Sequence, residues 1–162
     1  MQNFLRSLFA RYSQHEESQT VNADFLYDGT DALWRAVIDN LPEEIKCNVS
    51  ASAGKAYIHI KPKSAHLGVN DFKYCVEYSK TKERAYVNVE TLNGGAEGKA
   101  SIQQYIDNHS ADCIVKSVVP QQGVKNKDKW KWEVTAPAKE LNNRLVKWYV
   151  DTITTFWFFF EN

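Results

Sequence analysis

"FKYCVEYSKTKERAYVNVET", residues 72–91, reads as two strands and a turn. In its first half Phe72, Tyr74, Val76 and Tyr78 alternate with Lys73, Cys75, Glu77 and Ser79. In its second half Ala85, Val87 and Val89 alternate with Tyr86, Asn88 and Glu90. Side chains of a strand point to opposite faces with a period of two, so each half carries one apolar and one polar face. The short polar link "SKTKE" leaves room only for a turn. The stretch therefore predicts an antiparallel hairpin with one face buried.

The same alternation extends upstream. In residues 46–53, Cys47, Val49, Ala51 and Ala53 alternate with polar residues, and in residues 56–62 Ile58 and Ile60 alternate with Tyr57, His59 and Lys61. Gly54-Lys55 supplies a tight turn between them. Four strands in a row with short links make an antiparallel meander. Downstream, "NGGAEGKAS" breaks the pattern as a glycine-rich loop, and Ile102, Tyr105 and Ile106 mark a short helix. "CIVKSVV" and "KWKWEVT" then predict two further strands, joined by a polar loop around Gly123. A long helix from about residue 138 to residue 160 closes the pattern.

Ahead of the meander, Leu33, Trp34, Val37, Ile38 and Leu41 fall on one helical face, with Thr30 placed to cap the helix and Pro42 to end it. A first amphipathic helix is expected in "MQNFLRSLFARYSQ", where Phe4, Leu5, Leu8, Phe9 and Tyr12 share a face. Its two arginines suit either a transit peptide or a docking helix, and the mixed charge that follows favours docking. The expected organisation is a docking helix with an acidic linker over residues 1–29 and one α+β domain over residues 30–162. The order is α-α-ββββ-α-ββ-α: an antiparallel sheet of about six strands with helices mainly on one face.

Twenty basic and twenty acidic side chains cancel, so no global field draws the chain to nucleic acid or lipid. Any electrostatic site must be local. Three cysteines, Cys47, Cys75 and Cys113, are widely spaced in strand-like segments with no metal-ligand pattern, which excludes a zinc knuckle and suits a cytoplasmic setting. No metal or other cofactor is expected. Nucleophile elbows, phosphate-cradling loops and dinucleotide fingerprints are absent from the sequence. "GGAEGK" lacks the spacing and the hydroxyl residue of a phosphate loop. A metal-dependent nuclease would need carboxylates and a lysine converging from adjacent strands. The nearest set, Asp71, Glu77 and Lys80, puts Glu77 and Lys80 on opposite faces. The expectation leans against an enzyme, and no catalytic residue is assigned.

Three binding features remain. His59 shares a strand face with Tyr57 and Lys61, and Tyr86, Asn88 and Glu90 could join it across the sheet, either as a polar acid-base site or as a solvated face. "VKNKDKWKWEV", residues 124–134, interleaves Lys125, Lys127, Lys129 and Lys131 with Trp130 and Trp132. Strand geometry sends the tryptophans and Val134 to one face and Lys129 and Lys131 to the other, so nucleic-acid contact would rest on lysines without stacked bases. "FWFFF", residues 156–160, is too short an apolar run to span a membrane, which needs about 20 residues. On a helical wheel four of its rings face the fold and Phe158 points to the polar side, which makes Phe158, with Trp157 beside it, the candidate contact with a protein partner.

The strand-turn-strand pair, the short helix, "KWKWEV" and a closing helix with Trp148 and Phe156, led by Trp34, resemble an uncharacterised family of C-terminal domains. These often follow restriction-endonuclease-like nuclease domains in bacterial and phage defence loci. The resemblance covers about residues 30–160. It implies an accessory binding role in nucleic-acid or defence biology and carries over no catalytic residues. The expected function is thus a non-catalytic module that binds a protein partner or a second copy of itself. A nucleic-acid accessory domain using residues 125–131 is the alternative, and a small enzyme centred on His59 a third.

Overall fold

The computed structural model describes residues 25–52, 54–63, 72–91, 95–109 and 114–161. The expected first helix lies outside them. From residue 29 the order of elements follows the expectation. Helix α1 (Gly29–Asn40) and a single turn α2 (Glu43–Lys46) lead into β1 (Val49–Ala51), β2 (Tyr57–Ile60), β3 (Phe72–Ser79) and β4 (Arg84–Thr91). Helix α3 (Gly95–Asn108) and a 3₁₀ turn (Ile114–Ser117) precede β5 (Gln121–Gln122), β6 (Trp130–Pro137) and the closing helix α4 (Asn143–Glu161). The fold is α+β.

The sheet order is β1-β2-β3-β4-β6-β5, every neighbouring pair antiparallel. β3 and β4 pair along their full length, with Val76 opposite Val87 and Cys75 opposite Asn88. The chain leaves β4, crosses the apolar face through α3 and the 3₁₀ turn, forms the far edge as β5, and returns as β6 into the place beside β4. The hairpin read from residues 72–91 is therefore the centre of the sheet.

One face of the sheet is apolar and holds the core. Ile58, Ile60, Tyr74, Val76, Val87, Val89, Trp132 and Val134 are buried there. The described helices dock on this face. Tyr74 packs against Trp157 of α4, the Tyr149 hydroxyl donates to the Glu77 carbonyl at 2.6 Å, and the Trp132 indole N–H donates to Gln103 Oε1 of α3 at 3.1 Å. Trp34 of α1 packs edge-on to Tyr149 and donates to the Lys55 carbonyl at 3.0 Å, tying α1 to the turn after β1. Trp132 is fully buried, and truncating such an indole to alanine costs about 3–5 kcal/mol.

Several local expectations are corrected. The described part of "CIVKSVV", from Ile114, is not a strand: Ile114–Ser117 is a 3₁₀ turn that buries Val115 in the core, and the edge strand is Gln121–Gln122. A short, mostly apolar segment interrupted by Lys116 and Ser117 has no periodicity able to separate a strand from a buried turn. The strand expected over residues 46–53 shrinks to Val49–Ala51, because residues 43–46 make a helical turn after Pro42 and leave Cys47 exposed. The glycine-rich segment is not all loop, since α3 begins at Gly95. Thr30 is not the cap of α1; Asp28 holds that position without a side-chain bond. The last helix begins at Asn143 rather than 138. Asn142 Oδ1 accepts the Leu145 N–H at 3.0 Å, the bond of an N-cap to the third helical residue, which typically stabilises by about 1 kcal/mol.

Candidate interaction site

The polar face of the sheet carries a connected set of side chains. Lys73 Nζ lies 2.9 Å from Glu90 Oε1, its cross-strand partner, and 3.0 Å from His59 Nε2. Lys131 Nζ meets Glu133 Oε2 at 2.6 Å. Cys75 Sγ donates to Glu77 Oε1 at 3.3 Å, and His59 stacks on Tyr57. Asn88 occupies the middle, with Cys75 on one side and Glu133 on the other. It is fully buried, and neither its Nδ2 nor its Oδ1 has a hydrogen-bond partner among the described residues. Such an orphaned amide costs about 1–3 kcal/mol.

Of the residues expected around His59, Tyr57 stacks on it and Glu90 joins it through Lys73, and the electrostatics there describe a held network. Burial, then the neighbouring Lys73 ammonium, pushes the His59 pKa below its ordinary value of 6.5, so the imidazole is disposed to stay neutral and accept from Lys73. Burial, followed by the charges of Glu77 and Glu90, pushes the Cys75 thiol far above its ordinary range. Cys75 is then a protonated, poorly nucleophilic thiol. Sequence reading assigned Cys75 to a strand but did not single out its place in this network. Among the described residues no three His, Cys, Asp or Glu side chains converge as metal ligands would.

The second part of the site is the outer edge of β6. Three hydrogen bonds fix the direction of its backbone. The Gly123 N–H donates to the Lys129 carbonyl at 2.8 Å, so Lys129 faces β5. The Trp130 N–H donates to Thr91 Oγ1 at 2.9 Å, and the Ala138 N–H to the Glu83 carbonyl at 2.8 Å, so even-numbered residues face β4. Peptide groups alternate sides along a strand. Glu133 and Thr135 therefore turn both N–H and C=O away from β4, while Pro137 turns out a carbonyl only, having no N–H. β5 pairs only with Trp130 and Lys131. Among the described residues no strand meets the edge beyond Lys131, and Thr135 and Pro137 are exposed.

Exposed apolar side chains flank this edge in the chain. Val119 is 76% exposed, Val124 95% and Ile114 48%, all three in the segment that leads into and out of β5. The loop after β5 has a defined shape. Asn126 Oδ1 accepts the Asp128 N–H at 3.0 Å, Gln122 Nε2 donates to the Lys127 carbonyl at 2.7 Å, and the Asn126 carbonyl accepts the Lys129 N–H at 3.2 Å. A β-carbon on Gly123 would sit 2.4 Å from the Asn126 carbonyl oxygen, so the turn admits only glycine without moving.

The four lysines fall in different surroundings. Lys125 and Lys127 are exposed on this loop, Lys129 is half-buried at its end, and Lys131 is engaged with Glu133 on the polar face. Trp130 and Trp132 take the opposite face as expected, Trp130 beneath Lys99 Nζ at 4.0 Å from its ring centre. At the C-terminus, Trp157 is 2% exposed and lies inside the core, and Phe158 is half-buried against it rather than pointing clear of the fold. The burial of Trp157 agrees with the helical wheel, which put it among the four rings facing the fold, and Tyr105 of α3 packs on two of the others, Phe159 and Phe160. No helix among the described residues is long and apolar enough to cross a membrane. Comparisons with family models, curated proteins and solved structures return no match for this chain.

Proposed function

We propose that this protein is a non-catalytic binding module whose docking surface for a protein partner is the outer edge of β6. The observation that supports this reading is the incomplete edge. Two residues of β5 cover the start of an eight-residue strand, the outward peptide groups of Glu133 and Thr135 meet no strand among the described residues, and Ile114, Val119 and Val124 are exposed in the segment around β5. Uncovered edges are reactive toward other strands, and proteins that do not use them blunt them with charge, proline or a covering loop. Here Pro137 blunts only the far end. Main-chain pairing along such an edge is a common way of recognising extended segments.

The alternative, nucleic-acid contact through residues 125–131, is less well supported. Lys131 is engaged by Glu133, and the tryptophans that would stack on bases are turned to the other face. The accessory role in defence biology that the family resemblance implies fits either partner. A selection from displayed ten-residue peptides tests the proposal. Peptides should be recovered whose binding broadens the amide resonances of Glu133 and Thr135 and is weakened by Val119→Glu. Recovery of no peptide, with single-stranded oligonucleotides bound instead, would contradict it.

A further inference from the structure

Around the open edge the charge is lopsided. The turn between β3 and β4 carries Lys80, Lys82 and Arg84 with Glu83, and residues 125–140 carry five lysines with Asp128, Glu133 and Glu140. These two segments hold eight basic and four acidic side chains, in a chain whose total charge is zero. They meet in space because Arg84 pairs with Pro137 in the register of β4 and β6. The excess is therefore gathered along the two ends of one strand edge, while the remainder of the chain is correspondingly acidic.

The edge also has a register. Going along β6 from the end of β5, the first outward peptide group beyond Lys131 belongs to Glu133 and the next to Thr135, after which Pro137 offers no N–H. An added strand has room for about five residues, with main-chain bonds at these two positions. On the polar face Glu133 is already neutralised by Lys131 at 2.6 Å, which asks for an uncharged side chain opposite it. Thr135 differs: Arg84 Nη1 donates to its Oγ1 at 3.1 Å, and Arg84 is exposed with donors to spare. A carboxylate on the incoming strand opposite Thr135 would lie within reach of that guanidinium.

We propose that the free edge of β6 takes an extended acidic segment of a partner protein as an added strand, bonded through its backbone to Glu133 and Thr135 with a carboxylate at Arg84. This rests on the reading of the β6 edge as a protein-docking surface. The acidic preference comes from the basic rim, and the length limit from Pro137. Phosphates would be drawn to the same lysines, but they have no use for outward peptide groups, so the two ligands differ in what disrupts them.

The probe is a synthetic decapeptide in which glutamate alternates with valine and threonine, compared with its lysine and serine counterparts and with a single-stranded oligonucleotide. Thr135→Pro removes an outward N–H without deleting a bond to β4, because odd-numbered residues face away from β4. The expected result is binding of the glutamate peptide alone, weakened at least about tenfold by Thr135→Pro and by Arg84→Glu, and weakened by rising salt. Because Thr135→Pro also constrains the backbone of the strand itself, the unaltered protein is titrated as well with the peptide N-methylated at alternate residues, and one of the two methylated registers should lose binding. Equal binding of both methylated registers would overturn strand addition. Equal binding of the lysine or serine peptide would overturn the acidic preference while leaving edge docking intact. Failure of every peptide would overturn both. Oligonucleotide binding lost in Arg84→Glu but kept in Thr135→Pro would assign the rim to phosphate, and self-association that protects the Glu133 and Thr135 amides would assign the edge to a second copy.

Discussion

Asn88 gives a quantitative handle on the polar face. Its side chain is fully buried at the centre of the sheet, and neither polar atom has a partner among the described residues. Its charged neighbours satisfy each other: Lys73 with Glu90, and Lys131 with Glu133. Replacing Asn88 by leucine, which has the same branched heavy-atom skeleton, removes two desolvated polar atoms without stranding a charged neighbour. The orphaned amide costs about 1–3 kcal/mol, so Asn88→Leu should stabilise the fold by about that amount. At roughly 2–4 °C per kcal/mol for a chain of this size, the melting temperature should rise by about 2–12 °C. Urea unfolding followed by tryptophan fluorescence should show the same sign, with a higher midpoint and an unchanged slope. A fall in both measures would refute the reasoning, because it would mean that the amide makes hydrogen bonds worth more than its desolvation.

Two further perturbations test other parts of the account. The folded pKa of His59 is lowered, chiefly by burial and then by Lys73, so below about pH 6.5 the unfolded chain binds a proton that the folded chain resists. This contribution to stability is fully present above about pH 6.5 and declines as pH falls through the folded pKa. Melting temperatures between pH 7 and pH 5 should drop more steeply for the native protein than for His59→Gln, and parallel profiles would contradict the assignment. Gly123→Ala places a β-carbon 2.4 Å from the Asn126 carbonyl oxygen, so the loop must shift. Amide resonances of residues 122–130 should move while those of β3 stay in place, and an unperturbed loop would show that the turn is not held as described.

The sheet was legible because its strands are half-buried. In residues 72–91 every apolar residue with even number to 78 and odd number from 85 lies on the core face, and the alternation alone gave both faces and the pairing. The helix α1 was legible for the same reason, at helical period. What escaped was set by contacts distant in sequence or by single hydrogen bonds. Residues 113–119 are apolar except for Lys116 and Ser117, and that pattern does not reveal that Val115 is an anchor in a turn. The start of α4 depends on the Asn142 side chain, one polar residue among several that could have capped. The gathering of His59, Lys73, Cys75, Asn88 and Glu90 was foreseeable in part from alternation, but the burial of Asn88 and Cys75 was not, because it follows from the long side chains of two neighbouring strands. The open edge was least legible: it depends on β5 being two residues long, whereas the sequence suggested a full strand at residues 113–119.

The central claim is that the peptide groups of Glu133 and Thr135 are free to accept another strand. Residue-resolved hydrogen exchange on the protein alone tests it most directly. The amides of Trp132, Val134 and Ala136 face β4 and should be protected, while those of Glu133 and Thr135 should exchange at least about a hundredfold faster, the factor that a local opening cost of about 3 kcal/mol imposes. Equal protection of odd and even residues along β6 would show that the edge is already covered and would contradict the account.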